Sequence, residues 1–591
     1  MKNITQKLSL IVFVTIFILL SSSNFFTEAI DSSNKLAVWS KPNNWDFLSV
    51  EGGHYERKIF LICDNSKTKD KCEVIGVKIS DEVNKYFSKN KIFLKSVGQF
   101  RTKNAFNGNI VCGKDILVLD YDGTSNNVDI SKVILEIQKA IIVVGKALKI
   151  NLSASSGAIS GIGPVHNGTP LGFDWAYQVI NAPNSATPAA NTRVAVLDTG
   201  VGAGAFSNMN FVDPFKVTDD VTDSYTNTYL GTSTIGHGTL VASIVKETGQ
   251  TIKIDSAGNS KMWNSGITQN TQIIPIKVCA DAKCGLGSVV SGICAAAQPF
   301  PINSASPTGA LAQVINLSFG SYITSPILEG ALKDAISSGV TVVSSAGNSR
   351  GGGLIPPTLN TARVSVLVQK NLKANGLISD KLKVLPKAFC NLDYLLQIWG
   401  IDPKKWKSMD EKAKSKFSKD FLTNDKIDIQ KQGRFNCPLY PAALSFGGTK
   451  PDGLISVGSV SQVAGGALEY SKFATQNEQV DIVAPGDQVL ALQSNGKSTT
   501  VFDLDTSISI KSPAVGTSFS AAYVSGAAAA VIATRDDMNL TTLSPIQIEK
   551  ILLDSAKSGT CIPGPDDPAT VCGRGLLDVG GAIGIAKTFV P

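Results

Sequence analysis

The sequence predicts an α/β protein. A mainly parallel sheet is covered by helices on both faces, carries an inserted helical subdomain and follows an N-terminal α+β region. Three observations predict it. Short β-branched runs alternate with helical patterns from Val194 onward. Those runs are mainly apolar, as strands buried on both faces are. Before about residue 165 the texture is different, with charged stretches between short apolar runs.

The strand runs are Val194–Leu197, Ile273–Val278, Val314–Leu317, Val340–Val343, Ile455–Val457 and Val480–Val483. Between them lie helical patterns at Thr239–Val245, Ser288–Ala297, Ile327–Ser337 and Phe519–Thr534. A last helix opens at Pro545, with Ser544 as its N-cap, and runs to Ser555. In the N-terminal region, Ile59–Ile62 and Ile116–Leu119 are apolar runs, and Ile130 to Ile150 has helical spacing. Ser153 to Gly163 is rich in Ser and Gly, with Pro164 just beyond, and reads as a linker.

Composition narrows the function. The chain has 591 residues, 17% charged and 43% hydrophobic, which excludes a disordered chain. Net charge is +7, from 55 basic and 48 acidic residues, with no long basic stripe to argue for nucleic acid. At the N-terminus Lys2 and Lys7 precede the uncharged run Leu8–Leu20, then Ser21–Ser23 and Thr27-Glu28-Ala29. This pattern predicts a signal peptide over 1–29 and secretion to an extracellular or periplasmic space. No other stretch reads as a membrane span. Ten cysteines fit an oxidising compartment. Cys63 and Cys72, Cys279 and Cys284, and Cys561 and Cys572 are close pairs. Cys390 and Cys437 bracket one segment, and Cys112 and Cys294 are left over; connectivity stays open.

That bracketed segment, about 355–438, breaks the strand–helix texture. Lys412, Lys416 and Lys419 punctuate it, with Trp406 and Phe417 as apolar anchors. It reads as an inserted helical subdomain with a solvated basic face.

The chemistry sits at strand–helix junctions. Asp198-Thr199-Gly200 ends the first apolar strand. Gly236-His237-Gly238-Thr239 opens a helix. Ser345-Ala346-Gly347-Asn348 ends a buried strand, and Gly516-Thr517-Ser518 opens an Ala-rich helix. A serine hydroxyl is a poor nucleophile until an imidazole takes its proton. A buried carboxylate fixes that imidazole's tautomer and stabilises its cation. A side-chain amide can stabilise the oxyanion. Only three histidines exist, and neither His54 nor His166 has a matching context.

These residues resemble the subtilisin-like (subtilase) serine protease family. Asp198-Thr-Gly, His237-Gly-Thr, Ala346-Gly-Asn348 and Gly516-Thr-Ser518 stand in that family's order. The resemblance implies catalytic Asp198, His237 and Ser518, with Asn348 as oxyanion donor. It also implies substrate contacts from the strand end Ser318-Phe319-Gly320 and from the edge Gly285-Leu286-Gly287. Asp481-Ile-Val-Ala-Pro485-Gly486 and Gly575-Leu-Leu-Asp578 resemble a late strand and a closing motif. Phe519, Ala522-Tyr523 and Leu240 depart from the usual pattern around the nucleophile and histidine.

The implied protein is a secreted serine endopeptidase made as a proenzyme. Residues 30–165 are then a propeptide-like region and linker, and 166–591 the peptidase domain. Its partners are protein or peptide substrates and its own propeptide, with neither nucleic acid nor a stable membrane span after signal cleavage. The chemistry requires no cofactor. Structural Ca²⁺ could draw on Asp213, Asp219, Asp220 and Asp223, though these read more simply as a solvated acidic loop. The alternative is a catalytically dead binding protein on the same scaffold.

Overall fold

A computed structural model describes, with breaks, residues 54–123, 152–161, 175–348 and 439–591. The signal segment, the pattern over 130–150, Asp213, Asp219, Asp220 and Asp223, Cys72 and the insertion with Cys390 and Cys437 lie outside the described residues.

The N-terminal region forms β1 (His54–Cys63), β2 (Ile92–Arg101), β3 (Asp115–Gly123) and β4 (Leu152–Gly161). Helix α1 (Trp175–Val179) leads into the larger sheet, which begins with β5 (Arg193–Asp198) and β6 (Phe215–Lys216). Helix α2 (His237–Val245) follows, then the hairpin β7 (Gln250–Lys253) and β8 (Ser260–Trp263), and β9 (Gln272–Lys277). The short strands β10 (Cys279–Ala280) and β11 (Lys283–Gly285) run directly into α3 (Leu286–Ala297). Strand β12 (Val314–Leu317), helix α4 (Pro326–Ser337) and strand β13 (Thr341–Ser345) complete the first half. The second half contains β14 (Leu454–Gln462), β15 (Leu468–Tyr470), β16 (Ile482–Pro485), α5 (Thr517–Asp537), α6 (Pro545–Ser555) and α7 (Val579–Thr588).

Strands β6, β9, β5, β12, β13 and β14 lie side by side in parallel, and β16 joins β14 in parallel. Strand β15 runs antiparallel to its neighbour β14. The predicted doubly covered sheet is therefore present. Side chains alternate along β5: Val194 and Val196 enter one core with α2, α5 and α6, while Ala195 and Leu197 enter another with α3 and α4. Both faces are covered, which is why the strand runs are mainly apolar. Helix α5 is 21 residues long and apolar enough to cross a membrane, but it is buried from Thr517 to Arg535 against this sheet. Ser544 caps α6 as predicted, its hydroxyl accepting from the Gln547 amide while its own N–H donates to Gln547 Oε1 at 2.8 Å.

A second sheet, in the order β10-β11-β4-β1-β3-β2, is antiparallel at every pair. It corrects the linker reading of Ser153 to Gly163. Residues 152–161 are a strand with both edges paired, to β1 and to β11. Main-chain hydrogen bonds hold this strand, so its Ser, Ala and Gly content is no obstacle.

Candidate active site

Asp198 is the last residue of β5, and the parallel ladder delivers its carboxylate to the carboxyl edge of the sheet. Its Oδ1 accepts the backbone N–H of Thr199 at 2.7 Å. Thr199 Oγ1 in turn accepts the N–H of Gly238 at 3.1 Å, joining the Asp198 turn to the start of α2. A side chain cannot stand at residue 238, since a Cβ there would lie 2.3 Å from the Gly200 carbonyl oxygen. This close approach seats His237 beside Asp198. Nδ1 of His237 lies 2.9 Å from both carboxylate oxygens, and both side chains are buried. A carboxylate can only accept in this contact, so Nδ1 carries the hydrogen. Nε2 is then the nitrogen through which the ring can take up a proton.

Ser518 is the second residue of α5, and Gly516 precedes the helix at φ +154, a conformation that side chains rarely adopt. Ser518 does not cap this helix: Gly516 holds the cap position, with no side-chain cap bond. The Ser518 hydroxyl donates to the Ser318 carbonyl at 3.0 Å, and the Ser318 hydroxyl donates to the Ser518 carbonyl at 2.9 Å. Behind this pair runs a buried chain of polar groups. Asn316 Nδ2 donates to Ser318 Oγ at 2.8 Å, and Ser525 Oγ donates to Asn316 Oδ1 at 2.9 Å. The Ser518 carbonyl can only accept, which fixes the direction of every bond back to Ser525.

Asn348 follows β13 directly. Its Oδ1 accepts from both the N–H and the hydroxyl of Thr517, each at 2.9 Å. The Thr517 amide must donate, so the oxygen end of Asn348 faces it and Nδ2 is turned toward Gly516. Phe519 and Tyr523 pack the helix on its buried side. The Phe519 ring lies 5.8 Å from the His237 ring, and Tyr523 meets Tyr177 edge-on at 5.5 Å.

The remaining predicted residues divide. Ser318, Phe319 and Gly320 extend β12 next to Ser518, and Leu439 fills the space that side chains at Gly320 and Gly347 would need. Gly285 ends strand β11, which is paired on one side with β10 and on the other with β4, but Leu286 and Gly287 already belong to the first turn of α3. His54 opens β1 in the other sheet. Among the described residues, no group of three or more His, Cys, Asp or Glu could hold a metal ion. Asn316 lies in the strand run that leads into Ser318-Phe319-Gly320, and Thr199 and Thr517 lie within the Asp198 and Ser518 motifs, but the sequence assigns none of the three a role; Ser525 stands in no motif.

The chain is similar to several known proteins. The model of the subtilase family (Peptidase_S8) matches residues 189–575. The chain is 28% identical over 253 residues to an "Extracellular protease" of Xanthomonas campestris pv. campestris, covering 35% of this chain and 40% of that one. It is 27% identical over 207 residues to "Subtilisin Savinase" of Lederbergia lenta, covering 34% of this chain and 66% of that one. It thus spans about half the length of the curated relatives it matches. Among solved structures it is similar to fervidolysin from Fervidobacterium pennivorans. The TM-score is 0.49 and the identity 17%, covering 95% of this chain and 65% of that one.

Proposed function

The chain belongs to the subtilase family, and on that premise we propose that it is an exported serine endopeptidase, made as a proenzyme, that cuts peptide bonds through an acyl-enzyme. The buried His237–Asp198 pair, beside a helix whose second residue is Ser518, carries this reading.

In the proposed mechanism the Ser518 hydroxyl turns from the Ser318 carbonyl and gives its proton to Nε2 of His237 as Oγ attacks the substrate carbonyl. Asp198 holds Nδ1–H and stabilises the imidazolium that forms. The new oxyanion receives a hydrogen bond from Nδ2 of Asn348. His237 then protonates the leaving amine, and water, activated by the same ring, frees the acyl group. Residues 1–29 act as the export signal and 30–165 as the propeptide-like region. The peptidase body occupies 166–591, with the insertion at about 355–438. Substrate contacts fall to Ser318, Phe319, Gly320 and the Gly285 edge. Any structural Ca²⁺ stays outside the chemical steps.

The test is covalent. A fluorophosphonate incubated with the processed chain should label one serine, and peptide mapping should find the label on Ser518. A folded chain that leaves Ser518 unlabelled overturns the reading in favour of a binding protein on this scaffold.

A second expectation concerns Asn348. Asn348→Ala should lower kcat by about 10²–10³, the range known for the equivalent donor in subtilisin, with little change in KM. The amide acts mainly once the carbonyl has become an oxyanion, so it stabilises the transition state more than the bound substrate. Steady-state kinetics on a peptide substrate checks this. A raised KM with unchanged kcat would make Asn348 a substrate-binding residue instead.

A further inference from the structure

The N-terminal region is attached to the peptidase body by contacts that cleavage between them leaves untouched. Cys112, in the connection from β2 to β3, is disulfide-bonded to Cys294 of α3, 182 residues away. Both are buried, at 3% and 0% exposure. The same connection is gripped by α4. The buried Asp334 carboxylate accepts the backbone N–H groups of Ile110 at 3.0 Å, Val111 at 2.7 Å and Cys112 at 2.8 Å. The Phe106 amide donates to the Ala297 carbonyl at 2.8 Å, and the Asn107 amide to Ser338 Oγ at 2.9 Å. Ala105, Val111 and Ile116 share one apolar core with Ile293, Leu328 and other residues of α3 and α4. Elsewhere β4 pairs with β11, so that Ile159 stands opposite Gly285 and Ser160 opposite Cys284.

Any cut between Gly161 and Trp175 puts Cys112 and Cys294 on different polypeptides. Hydrolysis there consumes one water and yields a carboxylate and an amine; the S–S bond takes no part. A partner held only by hydrogen bonds and packing is lost on dilution. A tethered one faces its site at an effective concentration on the order of millimolar.

We propose that the N-terminal region, once cut, remains a disulfide-linked partner of the peptidase body and keeps its hold on the Lys283–Gly285 edge. Its release then needs a dithiol, which returns two electrons and two protons to the cysteine pair and closes to its own disulfide, or digestion of the region itself. This rests on the reading of residues 30–165 as a region that is processed.

The experiment makes the cut independently of the chain's own activity. A recognition site for an added specific protease is inserted between residues 165 and 174 of the full-length Ser518→Ala chain. The folded protein is digested and then analysed in denaturant. Without reductant it should migrate as one species of undiminished mass, and with dithiothreitol as two fragments. The same chain carrying Cys112→Ala should fall into two fragments without reductant. Separation of the cysteine-intact chain without reductant overturns the proposal, as does a Cys112→Ala chain that stays linked. If Cys112→Ala does not fold, peptide mapping of the unreduced parent decides: a Cys112–Cys294 peptide supports the tether and its absence refutes it. An uninserted wild-type chain that never cuts itself would refute the processing reading while leaving this result intact.

Discussion

Replacing Ser518 by alanine should lower kcat for peptide hydrolysis by about 10⁶-fold, the size of the loss when subtilisin itself is stripped of its nucleophile. The change deletes the atom that would form the acyl bond, and no neighbour substitutes for it. The Ser318 hydroxyl already donates to the Ser518 carbonyl, and Ser520 Oγ donates to the Ala484 carbonyl at 3.0 Å, in the packed interior. Asn348 and the substrate contacts remain, so a residual acceleration over water of about 10³–10⁴ should persist. The fold should survive. Only one hydrogen bond, to the Ser318 carbonyl, is removed, and the reciprocal bond from Ser318 stays. Circular dichroism and a thermal scan should match the wild type, while fluorophosphonate labelling and self-cleavage should vanish together. Retained labelling in a well-folded variant would sink the assignment of Ser518.

Lys450→Met should destabilise the folded chain by about 3–5 kcal/mol at neutral pH. Lys450 lies 3.0 Å from Asp452, 3.0 Å from Asp481 and 3.7 Å from Glu549, and its ammonium also donates to the Leu454 carbonyl. All three carboxylates are buried, Glu549 completely. Glu549 accepts the N–H groups of Asp452 at 2.7 Å and Gly453 at 2.6 Å, which ties α6 to the start of β14. Burial alone would lower the lysine's pKa, but Asp481, Glu549 and Asp452 together raise it. Without Lys450 three acidic groups would face one another with no cation among them.

The pH dependence has a defined sign. Burial pushes Glu549 up to about 7 and raises Asp481 as well, each partly offset by Lys450. A carboxyl group whose pKa is higher in the folded state binds protons more tightly there, so its contribution to stability falls as pH rises. For Glu549 that fall runs from the ordinary carboxylate range up to about 7. The deficit of Lys450→Met should therefore be widest above pH 7 and narrow toward pH 5, as protonation removes the repulsion. Urea unfolding in the Ser518→Ala background, where autolysis is absent, measures it. An unchanged midpoint at pH 8 would mean that the cluster contributes nothing net.

The chain order Asp198, His237, Asn348, Ser518 was legible because each residue sits in a short motif whose glycines serve a local need. Gly238 admits the Gly200 carbonyl, and Gly516 takes a backbone angle that other residues rarely adopt. The core strands were legible because a strand buried on both faces leaves a mainly apolar run, as at Val194–Leu197. The edge Gly285-Leu286-Gly287 was only partly legible. Strand gives way to helix between Gly285 and Leu286, and no residue type marks the change.

Sequence by itself determined the layered α/β architecture, the family resemblance and the identity of the candidate catalytic groups, since each rests on residues close together in the chain. The sequence left the cysteine connectivity open; the structure joins two of the close pairs, Cys279–Cys284 and Cys561–Cys572. Tertiary structure alone decided that Ser153 to Gly163 is a paired strand, because its partners β1 and β11 lie far away in sequence. It alone joined Cys112 to Cys294, gathered Lys450, Asp452, Asp481 and Glu549, and strung Ser525 through Asn316 to Ser318. Local pattern encodes what one segment buries and what chemistry it carries. Which distant segment meets it depends on the packing of the whole chain, and no spacing along the backbone records that.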